Sequence, residues 1–295
     1  MKKLCVTGSL HLDVVVDATH IPNLDETVPG TNVNYIFGGK GGNQALAADR
    51  YGASVYFVGR IGDDAFGKKL LETLGDSSID ISQLQIGNES SGMSVAIVDK
   101  LGNYGAVIVS AANLKIDKDR FSINKDTGIL LLQNEISDEI NTVASQRAKE
   151  IGSEVWLNAA PSRKISPQLL SHVDVLIMNS IEAKFYKEDL ESSQANHLTK
   201  ILTLGSKGLE IYLPGKPKKK FPAYSVKVLS THGAGDTFIG SLAAKRLEGK
   251  TFEIALEYAQ AAAALHVSTP LKARTNLRPD DVVLFLKLKN NIAKK

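Results

Sequence analysis

The stretch ILLLQNEISDEINTVASQRAKEIGSEVWL, residues 129–157, decides the fold. Ile129-Leu130-Leu131-Leu132 is apolar without alternation, residues 139–151 carry helix signals, and Val155-Trp156-Leu157 is apolar again. Continuous apolar runs suit strands buried on both faces. Strand, helix and strand in that order build a parallel sheet covered by helices. The alternation extends outward: strands at 4–8 and 54–59, an Ala-rich helix at 44–51 and a helix at 65–74 precede the stretch. Strands at 173–178 and 201–204 follow it, with helices opening near Gly235, Phe252 and Pro279. The fold class is α/β.

Two places break the pattern. Residues 11–16 with 31–37, and 93–98 with 104–110, read as strand pairs with no helix between them. Paired together they make a small sheet beside the main body, a lid spanning about 11–37 and 92–110 of a single domain, 1–295. Beyond Gly205 the chain reads as a hairpin, with Lys216-Pro217-Lys218-Lys219-Lys220 as its solvated tip. No internal repeat or low-complexity segment interrupts the chain.

Composition narrows the function. The 295 residues are 43% hydrophobic and 23% charged, enough apolar material for a core and far from disorder. A net charge of +3 is too slight for a nucleic-acid surface. One Cys excludes a disulfide framework and any Cys-based zinc site, and fits a reducing compartment. The opening Met1-Lys2-Lys3-Leu4-Cys5-Val6 resembles a signal n-region, but Gly8, Ser9, His11 and Asp13 break the apolar stretch. No run approaches the roughly 18 apolar residues of a membrane helix. A cytoplasmic protein acting on small molecules is expected.

Familiar motifs are missing. Gly249-Lys250-Thr251 fails as a P-loop because Ala244 stands where the first Gly belongs. Gly233-Ala234-Gly235 leads to Phe238, and Gly39-Lys40-Gly41 to Gln44, so neither completes G-x-G-x-x-G. Neither G-x-S-x-G nor H-E-x-x-H occurs. Two glycine-rich segments remain. Ser230-Thr231-His232-Gly233-Ala234-Gly235-Asp236-Thr237-Phe238 runs into an apolar helix, whose unpaired N–H groups favour an anion. Small residues there let backbone approach a phosphate. Phe37-Gly38-Gly39-Lys40-Gly41-Gly42-Asn43-Gln44-Ala45 also opens a helix and adds Lys40 and Asn43 as hydrogen-bonding groups. Each alone suits a structural turn as well as a site. With Asp13 after the first strand, both belong beyond the carboxyl ends of a parallel sheet, where ligands bind.

This combination resembles the ribokinase-like (PfkB) carbohydrate kinases. The pieces run in family order: Gly8-Ser9 with Asp13, residues 38–45, Gly62-Asp63-Asp64 with Gly67, and Gln133 with Glu135. Asn158-Ala159-Ala160-Pro161, Asn179-Ser180-Ile181-Glu182, residues 203–208 and residues 233–238 complete them. The resemblance implies a three-layer αβα core with a β lid, and ATP-dependent phosphorylation of a sugar's primary hydroxyl, with D-ribose the leading substrate. Asp236 would be the general base, and Gly233, Ala234 and Gly235 the anion hole. Sugar recognition would carry over to His11, Asp13, Gly39, Lys40, Asn43, Glu135 and Asp236. Asn179, Thr203, Gly205, Ser206, Gly208, Gly235 and Gln260 would meet ATP, and Glu182 would hold Mg²⁺ through water.

Departures from the family pattern qualify this. His11 stands where the family usually has Asn, which points to a different sugar or to a surface-strand histidine. His232 carries no assigned role. Ser230 replaces the Asp that helps hold K⁺, and the loop 268–275 lacks a Gly while containing Pro270 and Lys272. K⁺ is therefore in doubt as a cofactor, and Lys272 and Arg274 are candidates to replace it electrostatically. The stretch between Glu182 and Thr203 is short for the family, and a lid-mediated homodimer is expected. Rival readings are a nucleoside kinase, with Tyr35 and Phe37 covering a base, and a catalytically silent sugar or nucleotide sensor.

Overall fold

The computed structural model describes residues 2–101, 103–191 and 195–292. The expected single domain, 1–295, and the lid range 92–110 thus each include residues outside the described ones. Among the described residues nine strands form the main sheet: β1 (Lys3–Thr7), β4 (Val55–Gly62), β5 (Asp80–Gly87), β8 (Thr127–Gln133), β9 (Glu154–Asn158), β10 (Val175–Asn179), β11 (Thr199–Thr203), β12 (Leu209–Tyr212) and β13 (Lys219–Phe221). Their order is β13-β12-β11-β10-β9-β8-β1-β4-β5, parallel from β11 to β5 and antiparallel at β12 and β13.

Alternation along buried strands divides the core. Leu4, Val6, Ile129, Leu131, Trp156, Val175 and Ile177 join one cluster with residues of α1 (Lys40–Arg50), α7 (Ala234–Leu247) and α8 (Phe252–Ser268). Cys5, Leu130, Leu132, Val155, Leu157, Leu176 and Met178 join the other, with residues of α3 (Asp138–Glu150) and α4 (Pro167–His172). Side chains of successive strand residues point to opposite faces, so an uninterrupted apolar run requires helices on both sides. The expected three layers are present.

A second, four-stranded sheet joins β3 (Gly30–Gly38), β2 (His11–Ala18), β6 (Met93–Val98) and β7 (Tyr104–Val109). Both expected pairs form, and a parallel β2–β6 contact, with Val14 opposite Val95, fuses them.

Several elements depart from the sequence reading. Helix α1 begins at Lys40, not Gln44, so the glycines are its first turn. A β-carbon at Gly41 would lie 2.6 Å from the Ser9 nitrogen, and one at Gly39 (φ +86°) 2.8 Å from the Ser9 oxygen. β5 and α4 were not legible, being polar at a sheet edge and short respectively. The lysine run is more than a solvated tip: Lys218 and Lys220 each lie 3.2 Å from Glu210, and Lys219 lies 2.6 Å from Glu253. Between Glu182 and Thr203 stand α5 (Ser180–Phe185) and α6 (Lys187–Glu191); residues 192–194 lie outside the described ones.

Leu131 is fully buried at the middle of β8. Leu131→Ala is expected to lower unfolding free energy by about 2–5 kcal/mol in urea denaturation, through lost transfer energy and the cavity left behind.

Candidate active site

Parallel strands all end on one side, and their carboxyl ends meet the N-termini of the helices that follow. A cleft of ≈ 590 Å³ opens there. Its walls include Asn158 at the end of β9, Asn179 at the end of β10 and Thr203 at the end of β11. The first turn of α7, Ala234–Asp236, forms one side with Gly233, and Lys40 reaches in from α1.

Gly233 caps α7 in the left-handed conformation, φ +72° and ψ 5°, which glycine adopts at little steric cost. A β-carbon at Gly235 would meet nothing within 4 Å among the described residues, so this turn presents bare backbone to the cleft. The first N–H groups of a helix lack intrahelical acceptors and carry the positive end of its dipole. The arrangement suits a phosphate.

Asp236 is held in place by a relay. Gln44 Nε2 donates to Asp236 Oδ1 at 3.0 Å, and Gln133 Nε2 donates to Gln44 Oε1 at 2.9 Å. Both glutamines are fully buried. Burial pushes the Asp236 carboxyl above the ordinary carboxylate range, against the opposing pull of Lys40 and the Gln44 hydrogen bond. A carboxylate made more basic, at a helix N-terminus, is suited to take a proton from a hydroxyl.

Lys40 and Glu135 form the second charged pair. Glu135 Oε2 accepts from the Lys40 N–H at 2.8 Å and from Ser9 Oγ at 2.5 Å, while Glu135 Oε1 lies 3.4 Å from Lys40 Nζ. Burial works against both charges, yet each outcome favours ionisation. Glu135 lies below its usual range because Lys40 and the two donors outweigh desolvation. Lys40 lies above its usual range because Glu135 and Asp236 do the same for it.

Asp13 sits on the small sheet and accepts from Ser94 Oγ at 2.6 Å. His11 is not a surface-strand residue. It is 3% exposed, its Nε2 has no hydrogen-bond partner among the described residues, and burial lowers its pKa, leaving the ring neutral. Buried ring nitrogens without partners are uncommon, and such an atom is left for a ligand or an ordered water to satisfy.

Asn179 and Glu182 form a capping box at the start of α5. Asn179 Oδ1 accepts from the N–H groups of Ile181 (2.8 Å) and Glu182 (3.0 Å), and Glu182 Oε2 accepts from the Asn179 N–H at 2.7 Å. Both residues nevertheless line the cleft.

The fold therefore gathers Lys40, Asn179, Glu182, Thr203, Gly205, Gly233, Ala234, Gly235 and Asp236 around one cleft, with Glu135 adjoining through Lys40 and Ser9 through Glu135. Ser206, Gly208, Gln260 and Asn43 do not line it, and neither do His11, Asp13 and Gly39. Ser206 is exposed in the turn Gly205–Lys207. Gly208 (φ +93°) is backed by the Phe221 carbonyl, which a β-carbon would strike. Gln260 Nε2 reaches toward that same carbonyl oxygen at 3.5 Å. Asn43 is half-buried in the first turn of α1, its N–H donating to Gly39 O at 3.0 Å. Ser9, Gln44, Gln133 and Ser94 escaped the sequence reading as site residues. The available signal was polar groups on core-facing positions, which must be hydrogen-bonded once buried.

The chain matches the model of the pfkB family carbohydrate kinases over residues 1–276. It is 32% identical to the ribokinase of Bacillus subtilis over 275 residues, covering 90% of this chain and 93% of that protein. A second ribokinase, from Haemophilus influenzae, is also 32% identical, with 90% and 92% covered. Among solved structures, Arabidopsis thaliana ribokinase complexed with ribose and ATP superposes with a TM-score of 0.89 at 30% identity, covering 97% of this chain and 99% of that one. Thermotoga maritima ribokinase gives 0.86 at 29% identity, with 97% and 100% covered.

The Asp236 carboxyl carbon, followed by ¹³C NMR, is expected to titrate above the ordinary carboxylate range. Gln44→Met removes a donor to the charged form and should move the midpoint higher still. A wild-type midpoint at or below the ordinary value would refute this reading.

Proposed function

The chain belongs to the pfkB family of carbohydrate kinases, and we propose that it transfers the γ-phosphoryl group of MgATP to the primary hydroxyl of D-ribose. The observation that carries this reading is Asp236 at the bare-backbone N-terminus of α7, its basicity raised by burial, facing the same cleft as Lys40. The ribokinases of Bacillus subtilis and Haemophilus influenzae, and the ribose- and ATP-bound relative from Arabidopsis thaliana, support ribose as the acceptor.

In this mechanism Asp236 accepts the hydroxyl proton as the sugar oxygen bonds to phosphorus and the bond from phosphorus to the ADP oxygen breaks. Gly233 and Gly235 supply N–H donors to the transferring group, while the Ala234 N–H is held by Thr231 O at 3.1 Å, and Lys40 adds fixed positive charge. Phosphoryl transfer gains mostly from such positioning and charge stabilisation. His11, Asp13, Gly39, Asn43 and Glu135 are assigned to the sugar. Glu135 has a second task, since it also holds Lys40. Asn179, Thr203, Gly205, Ser206, Gly208 and Gln260 are assigned to the nucleotide. Glu182 would meet Mg²⁺ through water, a mode this ion favours because it keeps several waters. The small sheet would close over the sugar and exclude water.

The nucleoside reading loses support from its own residues. Phe37 packs against the core, and Tyr35 packs edge-on to Phe66 with Lys69 over its ring, contacts that compete with stacking on a base. No helix among the described residues is long and apolar enough to cross a membrane, and we assign the enzyme to the cytoplasm. We also assign a homodimer through the small sheet. Val14, Tyr35, Val95 and Val107 lie in register across its four strands, and Val107 is 68% exposed. Val14 is half-buried in that row, while Tyr35, Val95 and Val107 leave apolar surface exposed, of a kind uncommon on a monomer.

Coupled ADP release across pentoses, hexoses and nucleosides should single out ribose, and Asp236→Asn should slow turnover by at least about 10²-fold. Turnover of nucleosides in preference to sugars, or an undiminished Asp236→Asn enzyme, would overturn the proposal. In sedimentation velocity the native chain should run as a dimer and Val107→Asp as a monomer.

A further inference from the structure

Arg274 is 4% exposed, in the turn Leu271–Asn276 after α8. Its guanidinium faces carbonyl oxygens from two loops. Nη2 donates to Ser230 O at 2.8 Å, Nη1 to His232 O at 2.9 Å, and Nε to Thr269 O at 3.1 Å. His266 Nε2 lies 3.2 Å from Nη1. Among the described residues no carboxylate forms an ion pair with Arg274, so its charge is balanced by carbonyl dipoles. Lys272, the other candidate, is exposed.

We infer that the Arg274 guanidinium is a built-in cation that orders the anion-binding loop, so that the enzyme needs no K⁺. The inference rests on the kinase reading above. A cluster of carbonyl oxygens is the donor set that a desolvated K⁺ requires, and here those oxygens are already taken by N–H donors. Ser230 brings no carboxylate to offset a second positive charge beside the first. The residues present therefore do not fit K⁺.

The arginine acts on the site through peptide geometry. In a trans peptide C=O and N–H point in opposite directions. Drawing the His232 carbonyl toward Arg274 turns the N–H of Gly233 away from it, and Gly233 lines the cleft. His266 braces the same segment, with Nε2 2.9 Å from His232 O and Nδ1 3.1 Å from Thr237 Oγ1. Burial brings its pKa down to about 4, aided by the neighbouring Arg274 charge, so it adds no competing charge at neutral pH. Arg274 is thus a positioning residue: it touches no reacting atom and sets the donors that do.

The test compares wild type, Arg274→Ala, Arg274→Gln and Arg274→Ala with Ser230→Asp, each in K⁺ and in tetramethylammonium salts. Wild type should show the same kcat and the same melting temperature in both. Arg274→Ala should lose about 10²-fold in kcat, the usual size for a disrupted oxyanion donor, with the sugar KM little changed. Added guanidinium should restore part of the loss, which a merely structural defect would not allow. The double variant should gain K⁺-dependent turnover and a K⁺-dependent rise in melting temperature. Should Arg274→Ala fail to fold, Arg274→Gln carries the comparison. Strong K⁺ activation or K⁺ stabilisation of wild type, or undiminished kcat in Arg274→Ala, would overturn the inference alone. Absence of sugar turnover by wild type in every salt would instead defeat the kinase reading, while the melting temperatures still decide whether wild type binds K⁺.

Discussion

The close crossing of α1 between the β1–β2 turn and α7 is the constraint from which the site follows. At Gly41 a β-carbon would lie 2.6 Å from the Ser9 nitrogen, and at Gly240 one would lie 2.6 Å from the Gln44 carbonyl oxygen. Side chains at either place would force the helices apart. Because none intrudes, the start of α1 sits against both the end of β1 and the first turns of α7. Gln44 then reaches Asp236, Lys40 reaches the cleft, and Ser9 reaches Glu135. Backbone proximity, not side-chain chemistry, brings residues nearly two hundred positions apart into hydrogen-bonding distance.

Charge in the cleft is arranged around that crossing. Glu135 and Lys40 are each desolvated but stabilise one another, so both remain ionised. A buried pair of this kind is tolerated when further donors satisfy it, as Ser9 and the Lys40 N–H do. For Asp236 the pull of Lys40 and the Gln44 hydrogen bond is outweighed, and desolvation prevails. The same low-dielectric setting thus gives one carboxylate a structural charge and leaves another ready to take up a proton. Arg274 repeats the principle beside the loop that leads into α7, where a buried cation is held by carbonyl dipoles.

Legibility in the sequence followed the physics of each element. Ile129–Leu132 and Val155–Leu157 declared themselves because strands buried on both faces need unbroken apolar runs. β5 did not, since a polar edge strand lacks that signature. The glycine-rich segments marked both helix starts, and Asp236 and Lys40 stood within them. Gln44 and Gln133 stood within the quoted segments, but their relay to Asp236 was not legible, since a glutamine's partner is known only once the chain has packed. His11 was readable as a departure from a pattern, whereas its burial came only from the packing of the small sheet.

The sequence by itself determined the α/β class, the order of the main elements and the two segments that meet the cleft. These depend on local periodicity and on glycine, properties carried by neighbours along the chain. Tertiary structure alone decided which carboxylate is basic, which polar side chains form the relay, and that Arg274 rather than Lys272 faces the loop carbonyls. Those outcomes depend on desolvation and on distances between segments remote in sequence, and both quantities exist only once the chain has packed.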